Sequence, residues 1–239
     1  MANIFSIIVG FSMITASMVT YGIQYYKIIK KESIKGINLY MIFMGVISNY
    51  LTSLSYLHAN LHDMKNNFAI TLDIVQLFIL DFTYILYFTI YLYYTYKNCI
   101  ILQNLQNLQN LQQLTSERYN NIEKSLKKYK ITILLYISSW FFIIIFAVVS
   151  ILISLYYNSK MNNNYIISTN ILSSILSSIM WIPQLIESYR YTHVKTSLSS
   201  TFIFLNILGT LIIIIYQYII NKQNILLIIQ YFVTVILQI

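Results

Sequence analysis

Long apolar segments separated by short charge clusters constrain the fold of this chain more than any other feature. Of its 239 residues, 58% are hydrophobic and 9% are charged, whereas soluble domains carry about 25% charged residues. The apolar segments are mostly 16–29 residues long, and a helix needs roughly 20 residues to cross a bilayer. We therefore predict an all-α, multi-pass integral membrane protein embedded in the lipid bilayer.

Seven transmembrane helices account for the apolar segments, and we place them at 3–26, 37–57, 68–96, 131–157, 166–189, 198–220 and 224–239. The first segment has no basic flank before it and no small-residue cleavage site after it, so it is read as a span and not as a cleaved signal. The single cysteine, Cys99, excludes an internal disulfide.

The distribution of lysine and arginine predicts the orientation. Twelve of the fifteen basic residues follow spans one, three and five, and the other loops hold one each, namely Lys65, Lys160 and Lys222. Because basic loops stay in the cytosol, the N-terminus is predicted to be lumenal or extracellular and the C-terminus cytosolic. The net charge of +8 is thereby assigned to membrane orientation, and no nucleic-acid partner is expected.

An internal repeat appears when the chain is shifted by 160 residues. The shift superimposes two basic turns, with the pairs Gln24/Gln184, Lys30/Arg190, Ile34/Val194 and Lys35/Lys195. We infer a triple-helix bundle in 1–96, a cytosolic low-complexity linker in 97–130, a linker helix in 131–157 and a second bundle in 166–239. One intervening helix gives both bundles the same orientation. Parallel repeats of this kind are a known transporter plan, with the site near the midplane between repeats.

The only proline marks a candidate hinge near the end of span five. Pro183 lacks a backbone donor and clashes with the carbonyl four residues earlier, that of Ile179. A carbonyl freed within a bilayer needs another partner, and a glutamine amide is able to donate and accept. We therefore predict that Pro183 and Gln184 form a hinge, and that Gln24 serves as donor in the first bundle without a kink.

These two turns resemble the motif of the PQ-loop family, which includes the SWEET sugar carriers and the lysosomal cystine and cationic amino acid exporters. Residues 183–198 begin with Pro-Gln and carry Arg190 in the basic turn, although Thr196 stands where the family has glycine. Residues 23–38 keep Gln24 and Gly36 but have Ile23 in place of proline.

The resemblance implies a 3+1+3 arrangement of seven helices and transport of a small polar solute, an amino acid or a sugar, by alternating access between the bundles. It also implies an endomembrane location, lysosomal or vacuolar, in preference to the plasma membrane. Coupling to protons, the identity of the solute and homo-oligomerisation stay open. The alternative of the same fold is a receptor or sorting factor that does not transport, and a seven-span signalling receptor is a weaker third.

Two acidic residues lie within span three. A carboxylate at membrane depth is costly and usually faces a bundle interior or a water-filled path, so Asp73 and Asp81 are candidates for proton coupling. Proton-coupled members of the resembled family use membrane-embedded aspartates. The alternative for Asp73 is a solvated position near the lumenal end. Glu187 is expected to pair with Arg190 at i+3, with a cytosolic gate as the alternative.

Four polar side chains at midplane depth are candidates for contacting the solute. They are Asn49, Gln76, Asn206 and Gln230. The alternative is hydrogen bonding between helices, which asparagine and glutamine also provide in membranes. Small residues four apart, such as Ser173 and Ser177, are expected to support close helix packing.

The sequence contains no pattern typical of an enzyme. His58 and His62 are four apart, but neither they nor His193 have metal-ligand partners in the sequence. With five glycines there is no phosphate-binding loop, and no nucleophile stands beside a base. We therefore predict no catalytic residues, no metal and no cofactor.

Overall fold

The computed structural model describes residues 4–61, 68–109, 116–156, 159–190, 198, 200–219, 232 and 235–236. These residues form helices and no strand, which confirms the all-α prediction. In chain order the helices are α1 (Ile4–Lys31), α2 (Leu39–Asn60), α3 (Phe68–Gln109), α4 (Ser116–Leu155), α5 (Ser159–Ile179), α6 (Trp181–Arg190) and α7 (Ser200–Ile219). The predicted span at 224–239 lies almost wholly outside the described residues.

Three helical stretches in the described part of the chain are long and apolar enough to cross a membrane. They are Ile70–Ile101, Ile122–Leu155 and Lys160–Arg190. The third contains α5 and α6, which are separated by Met180 alone. A shorter apolar helix covers Ser200–Ile212. The lengths of these stretches support a membrane protein. Helices α1 and α2 have 28 and 22 residues.

The predicted linker at 97–130 is helical at both ends. Helix α3 continues beyond the predicted span to Gln109, and α4 begins at Ser116, well before residue 131. Extending an existing helix adds one hydrogen bond per residue, whereas starting a helix is costly. A leucine, glutamine and asparagine tract can therefore remain helical by continuing from a stable span. Residues 110–115 are outside the described part.

The helices before α4 and those after it, which we call the two halves of the chain, pack against each other in two places. Helix α2 packs most extensively against α5 and also against α6, while α1 packs against α7. A shift of 160 residues carries α2 onto α7 to within one residue at each end, and carries Lys31, the last residue of α1, to within one residue of Arg190, the last of α6. By this shift α1 corresponds to α5 and α6, and α2 corresponds to α7. The contact of α1 with α7 therefore corresponds to the contact of α5 and α6 with α2.

One apolar core joins the two halves at the end of the helices where Lys31 and Arg190 lie, which we call the basic end. It contains side chains from α1, α2, α3 and the second half, including Tyr21, Ile28, Met41, Val46, Tyr87, Tyr91, Trp181 and Phe202. The opposite end, where Asn60 and Ser159 lie, is joined mainly by polar contacts described below. Helix α4 instead exposes large apolar side chains such as Leu134 and Phe141, as expected of a helix that faces lipid.

Candidate functional site

Gln184 joins helix α6 directly to the turn between α1 and α2. Its Nε2 donates to the Gly36 carbonyl at 2.7 Å, and its Oε1 accepts from the Asn38 amide at 2.9 Å. The same Nε2 lies 3.1 Å from the Ser188 hydroxyl one turn on. The side chain is 2% exposed. The amide therefore donates and accepts as the sequence suggests, but its partners belong to the turn between α1 and α2.

The turn between α1 and α2 is shaped to receive this glutamine. Gly36 has φ of 80°, in the left-handed region that glycine adopts without strain. The Asn38 side chain caps α2 by accepting from the Tyr40 amide at 2.9 Å. The Asn38 backbone amide is thereby left to donate to Gln184.

A second link between the halves starts from α1. The Lys27 ammonium donates to the carbonyl of Leu198, just before α7 begins. Partial burial, with the charge of Lys31 nearby, lowers the pKa of Lys27 from its ordinary value. Gln24, three residues earlier, is fully buried, and its Nε2 donates to the Tyr87 hydroxyl of α3 at 3.4 Å. Residues 191–197, the turn that matches Gly36 by the repeat, lie outside the described part.

The helix is interrupted where Pro183 predicts a break. Helix α5 ends at Ile179, the Met180 amide donates to the Leu176 carbonyl at 2.9 Å, and α6 starts at Trp181. Pro183 consequently lies in the first turn of α6, where a missing N–H breaks no helical hydrogen bond. Pro183 and Gln184 therefore lie in the first turn of a short helix, which Gln184 and the buried Trp181 fix to the other half of the chain.

One face of α2 forms a hydroxyl-lined seam with α5. Thr52 Oγ1 and Ser173 Oγ are 2.5 Å apart, and Ser173 Oγ also donates to the Ser48 carbonyl at 3.0 Å. Ser48 further contacts Ser177, and Ser55 Oγ donates to the Ile166 carbonyl at 3.3 Å. These contacts provide the close packing that the spacing of Ser173 and Ser177 predicts, because small side chains let helix backbones approach.

The other polar face of α2 points to α3. Asn49 donates to the Gly45 carbonyl at 2.8 Å and lies beside Tyr84. Ser53 donates to the Asn49 carbonyl at 3.1 Å and lies beside Asp81. Asp81 is 5% exposed, and neither of its carboxylate oxygens has a hydrogen-bond partner among the described residues. An ionised carboxylate in such a place is costly, so the site is suited to a group that binds and releases a proton.

The remaining predicted residues are more dispersed. Asp73 is partly buried, and its Oδ2 accepts from the Tyr56 hydroxyl at 3.0 Å, while Gln76 is buried on the same helix. Asn206 is partly buried on α7, and its carbonyl accepts from Thr210 at 2.7 Å. Gln230 lies outside the described residues. The structure therefore groups Asn49 with Asp81 but does not bring Asn206 to them by any described contact.

Two ion pairs lie at the basic end, and the first of them was expected from the sequence. Glu187 and Arg190 form an ion pair at 3.9 Å, at the limit of such pairing. Glu32, in the turn after α1, pairs with Lys97 of α3 at 2.7 Å. The Glu32 side chain is 64% exposed, so this pair contributes little to stability.

His58 is a buried polar residue whose role the sequence reasoning missed. Its ring nitrogens lie 2.9 Å from Asn162 Oδ1 of α5 and 2.6 Å from Ser150 Oγ of α4. The Tyr165 ring packs against it edge to face, with centroids 4.9 Å apart. A search for metal ligands passes over this histidine because serine and asparagine are its partners. The one feature of the sequence that could have indicated a buried histidine is its position near the end of an apolar helix.

Comparison of the chain with protein-family models, curated proteins and solved structures gives no match.

Proposed function

We propose that this chain is a membrane carrier of the PQ-loop type that moves a small polar solute, an amino acid or a sugar, by alternating access between two three-helix units. The observation that carries the proposal is the link from Gln184 to the Gly36 carbonyl and the Asn38 amide. It joins the α1–α2 turn of one unit to helix α6 of the other. A carrier built from two rocking units needs such a contact at the end where it is closed.

The repeated packing supports the same arrangement. In a pair of parallel repeats, rotation about the axis that relates them carries each contact onto an equivalent contact. The contact of α1 with α7 and that of α5 and α6 with α2 are such a pair. The described helices fit a first unit of α1–α3, a linker α4 and a second unit that begins with α5–α6 and α7. In this proposal the basic end faces the cytosol, the other end faces a lumen, and the compartment is an endomembrane one.

The seam between α2 and α5 is the proposed route for the solute. Its hydroxyl groups, those of Ser48, Thr52, Ser173 and Ser177, could exchange their mutual hydrogen bonds for bonds to a polar molecule when the seam opens. Asp81 lies on the other side of α2, beside Ser53. We assign it the proton-coupling role, because an unpartnered buried carboxyl gains most from binding a proton.

A reversible crosslink across the seam tests the proposal. In a Cys99→Ser background, Thr52→Cys with Ser173→Cys replaces two hydroxyls that lie 2.5 Å apart. Reconstituted in liposomes with labelled amino acids and sugars, with and without a pH gradient, the reduced protein is expected to show saturable uptake of at least one solute. Oxidation is expected to abolish uptake and reductant to restore it, while the single Thr52→Cys variant is insensitive to both.

Three outcomes would count against the proposal in different ways. Full uptake by the crosslinked protein would exclude the seam as the route. Saturable binding without uptake by the uncrosslinked parent would favour the receptor or sorting factor, in which the paired hydroxyls of the seam are permanent packing contacts. Neither binding nor uptake of any solute in the panel would remove the carrier assignment for amino acids and sugars.

A further inference from the structure

His58 connects three helices at the end of the molecule opposite the basic turns. It belongs to α2 and is 3% exposed. It hydrogen-bonds Ser150 of α4 and Asn162 of α5, which are 6% and 7% exposed, and Tyr165 packs on its ring. We call these four residues the His58 cluster. It joins the first unit, the linker helix and the second unit at a single buried point.

The chemistry of the two partners assigns the hydrogens on a neutral ring, because an amide oxygen can only accept. Asn162 Oδ1 accepts, so His58 Nδ1 carries the proton and donates at 2.9 Å. Nε2 is then an acceptor and receives the Ser150 hydroxyl at 2.6 Å. Both ring nitrogens are satisfied, one as donor and one as acceptor, without any change in the neighbouring helices.

A second proton would disturb this arrangement. Nε2 would become a donor facing a hydroxyl that is itself donating, so Ser150 would have to turn its hydrogen away. The ring would also carry a positive charge at a buried position. The groups that face it are the uncharged Ser150 of α4 and Asn162 of α5, together with Tyr165, whose buried hydroxyl has no hydrogen-bond partner among the described residues.

Among the described residues, no carboxylate pairs with the His58 ring. On α2 itself the nearest titratable side chain in the chain is Tyr56, which donates to Asp73 of α3. The two ion pairs in which both residues are described, Lys97 with Glu32 and Arg190 with Glu187, lie at the basic end. Lys160, one turn before Tyr165 on α5, is exposed and basic. Burying an unpaired charge is unfavourable, so protonation favours a state in which water reaches the ring.

We propose that the His58 cluster is a proton-operated latch that holds α2 against α4 and α5 when the imidazole is neutral and releases them when it is protonated. Histidine is the side chain that changes charge between about pH 5 and 8. The latch would make opening of this end respond to acidity on its own side of the membrane. The proposal concerns opening alone, so it does not require that the proposed transport function be correct.

Cysteine labelling measures the opening without a transport assay. Ser55, one turn before His58, is 2% exposed and donates to the Ile166 carbonyl across the seam. With Cys99→Ser removing the native thiol, Ser55→Cys is reacted with a membrane-impermeant methanethiosulfonate at several pH values, with rates corrected for thiol ionisation on a free-cysteine peptide. We expect about tenfold faster corrected labelling at about pH 5.5 than at about pH 7.5, which is the shift in an opening equilibrium when an ordinary exposed imidazole takes up its proton over that interval and the closed one does not.

Three substitutions identify the titrating group. His58→Gln cannot take a charge and is expected to label at one rate throughout. Asn162→Asp supplies a carboxylate next to Nδ1 and is expected to keep the cluster closed and labelling slow at both pH values. His62→Gln, which removes the histidine four residues later in the sequence, is the matched control and is expected to retain the pH dependence of the parent.

Labelling that is independent of pH in the parent would overturn the proposal, as would an unchanged pH dependence in His58→Gln. Folding is checked by size-exclusion elution in detergent. If His58→Gln fails that check, Asn162→Asp decides, because acid-accelerated labelling in that variant would contradict the latch while slow labelling at both pH values supports it.

Discussion

Replacing Gln184 by methionine removes the hydrogen bonds between the two halves while keeping the length of the side chain. The glutamine is 2% exposed and bonds Gly36 and Asn38 at 2.7 and 2.9 Å. Methionine fills the space with an unbranched apolar chain. The substitution therefore tests the hydrogen bonds with little change in packing volume.

The cost follows from the partners left behind. Gly36 is buried, and its carbonyl would lose its Gln184 donor, which costs about 1–3 kcal/mol. Asn38 is half-buried, so water can partly replace the lost acceptor, and we assign about 1 kcal/mol to its amide. We therefore expect Gln184→Met to lower the free energy of unfolding by about 2–4 kcal/mol. Gln184→Ala should cost more, because it adds a cavity.

The measurement is equilibrium unfolding in mixed detergent micelles by titration with dodecyl sulfate, followed by tryptophan fluorescence. Trp181 lies in the affected helix and is 3% exposed, so it reports the transition. Ser188→Ala is the matched control. It removes the 3.1 Å contact of the same amide but leaves both bonds to the other half intact, so we expect a loss below about 1 kcal/mol.

Two results would refute the reasoning. A loss below about 1 kcal/mol in Gln184→Met would mean that water or a rearranged turn replaces both bonds, and that Gln184 does not hold the halves together. Equal losses in Gln184→Met and Ser188→Ala would assign the effect to the helix itself. In either case the link between α6 and the α1–α2 turn would no longer support a closed basic end.

Two further substitutions and one control test the packing of α2 against α3. Gly45→Ala places a methyl group against the Tyr84 ring, 2.8 Å from Cδ1, and is expected to lower the unfolding free energy by about 1–3 kcal/mol. The control Gly22→Ala meets no atom within 4 Å and is expected to raise the unfolding free energy by about 0.5–1 kcal/mol, so equal effects would contradict the packing. Asp81→Asn is expected to match or exceed the parent in unfolding free energy at neutral pH while abolishing the response of uptake to a pH gradient, and a marked loss of stability would instead reveal a structural partner for the carboxylate.

Hydropathy and the single proline predicted much of the helical framework. The ends of α2 lie within three residues of the predicted span 37–57, and the helix breaks at Met180, three residues before Pro183. Both results follow from local rules, namely the length of apolar segments and the missing donor of proline. A helical continuation where the linker leaves span three agrees with the sequence, but its end at Gln109 could not be placed. A three-residue leucine repeat does not keep one face of a helix and so gives no periodic signal.

Partners distant in sequence could not be predicted. Gln184 was expected to satisfy a carbonyl of its own helix, yet its acceptor Gly36 is 148 residues away in the chain. His58 was judged by metal-ligand spacing, and its partners Ser150 and Asn162 are 92 and 104 residues away. Amides, hydroxyls and imidazoles bond many groups, so the choice among them depends on which helices pack together.

Helix α2 carries two polar faces and packs against both α5 and α3. One face, with Ser48 and Thr52, forms the seam to α5, and the other, with Asn49 and Ser53, points to α3 and Asp81. An uninterrupted helix moves as a unit, so a tilt that opens the seam also shifts Asn49 and Ser53 relative to the carboxylate. In the proposed carrier this geometry is sufficient for coupling. A proton on Asp81 would change how strongly one face of α2 is held against α3. The resulting shift of α2 would change the affinity of the seam on its other face for the solute.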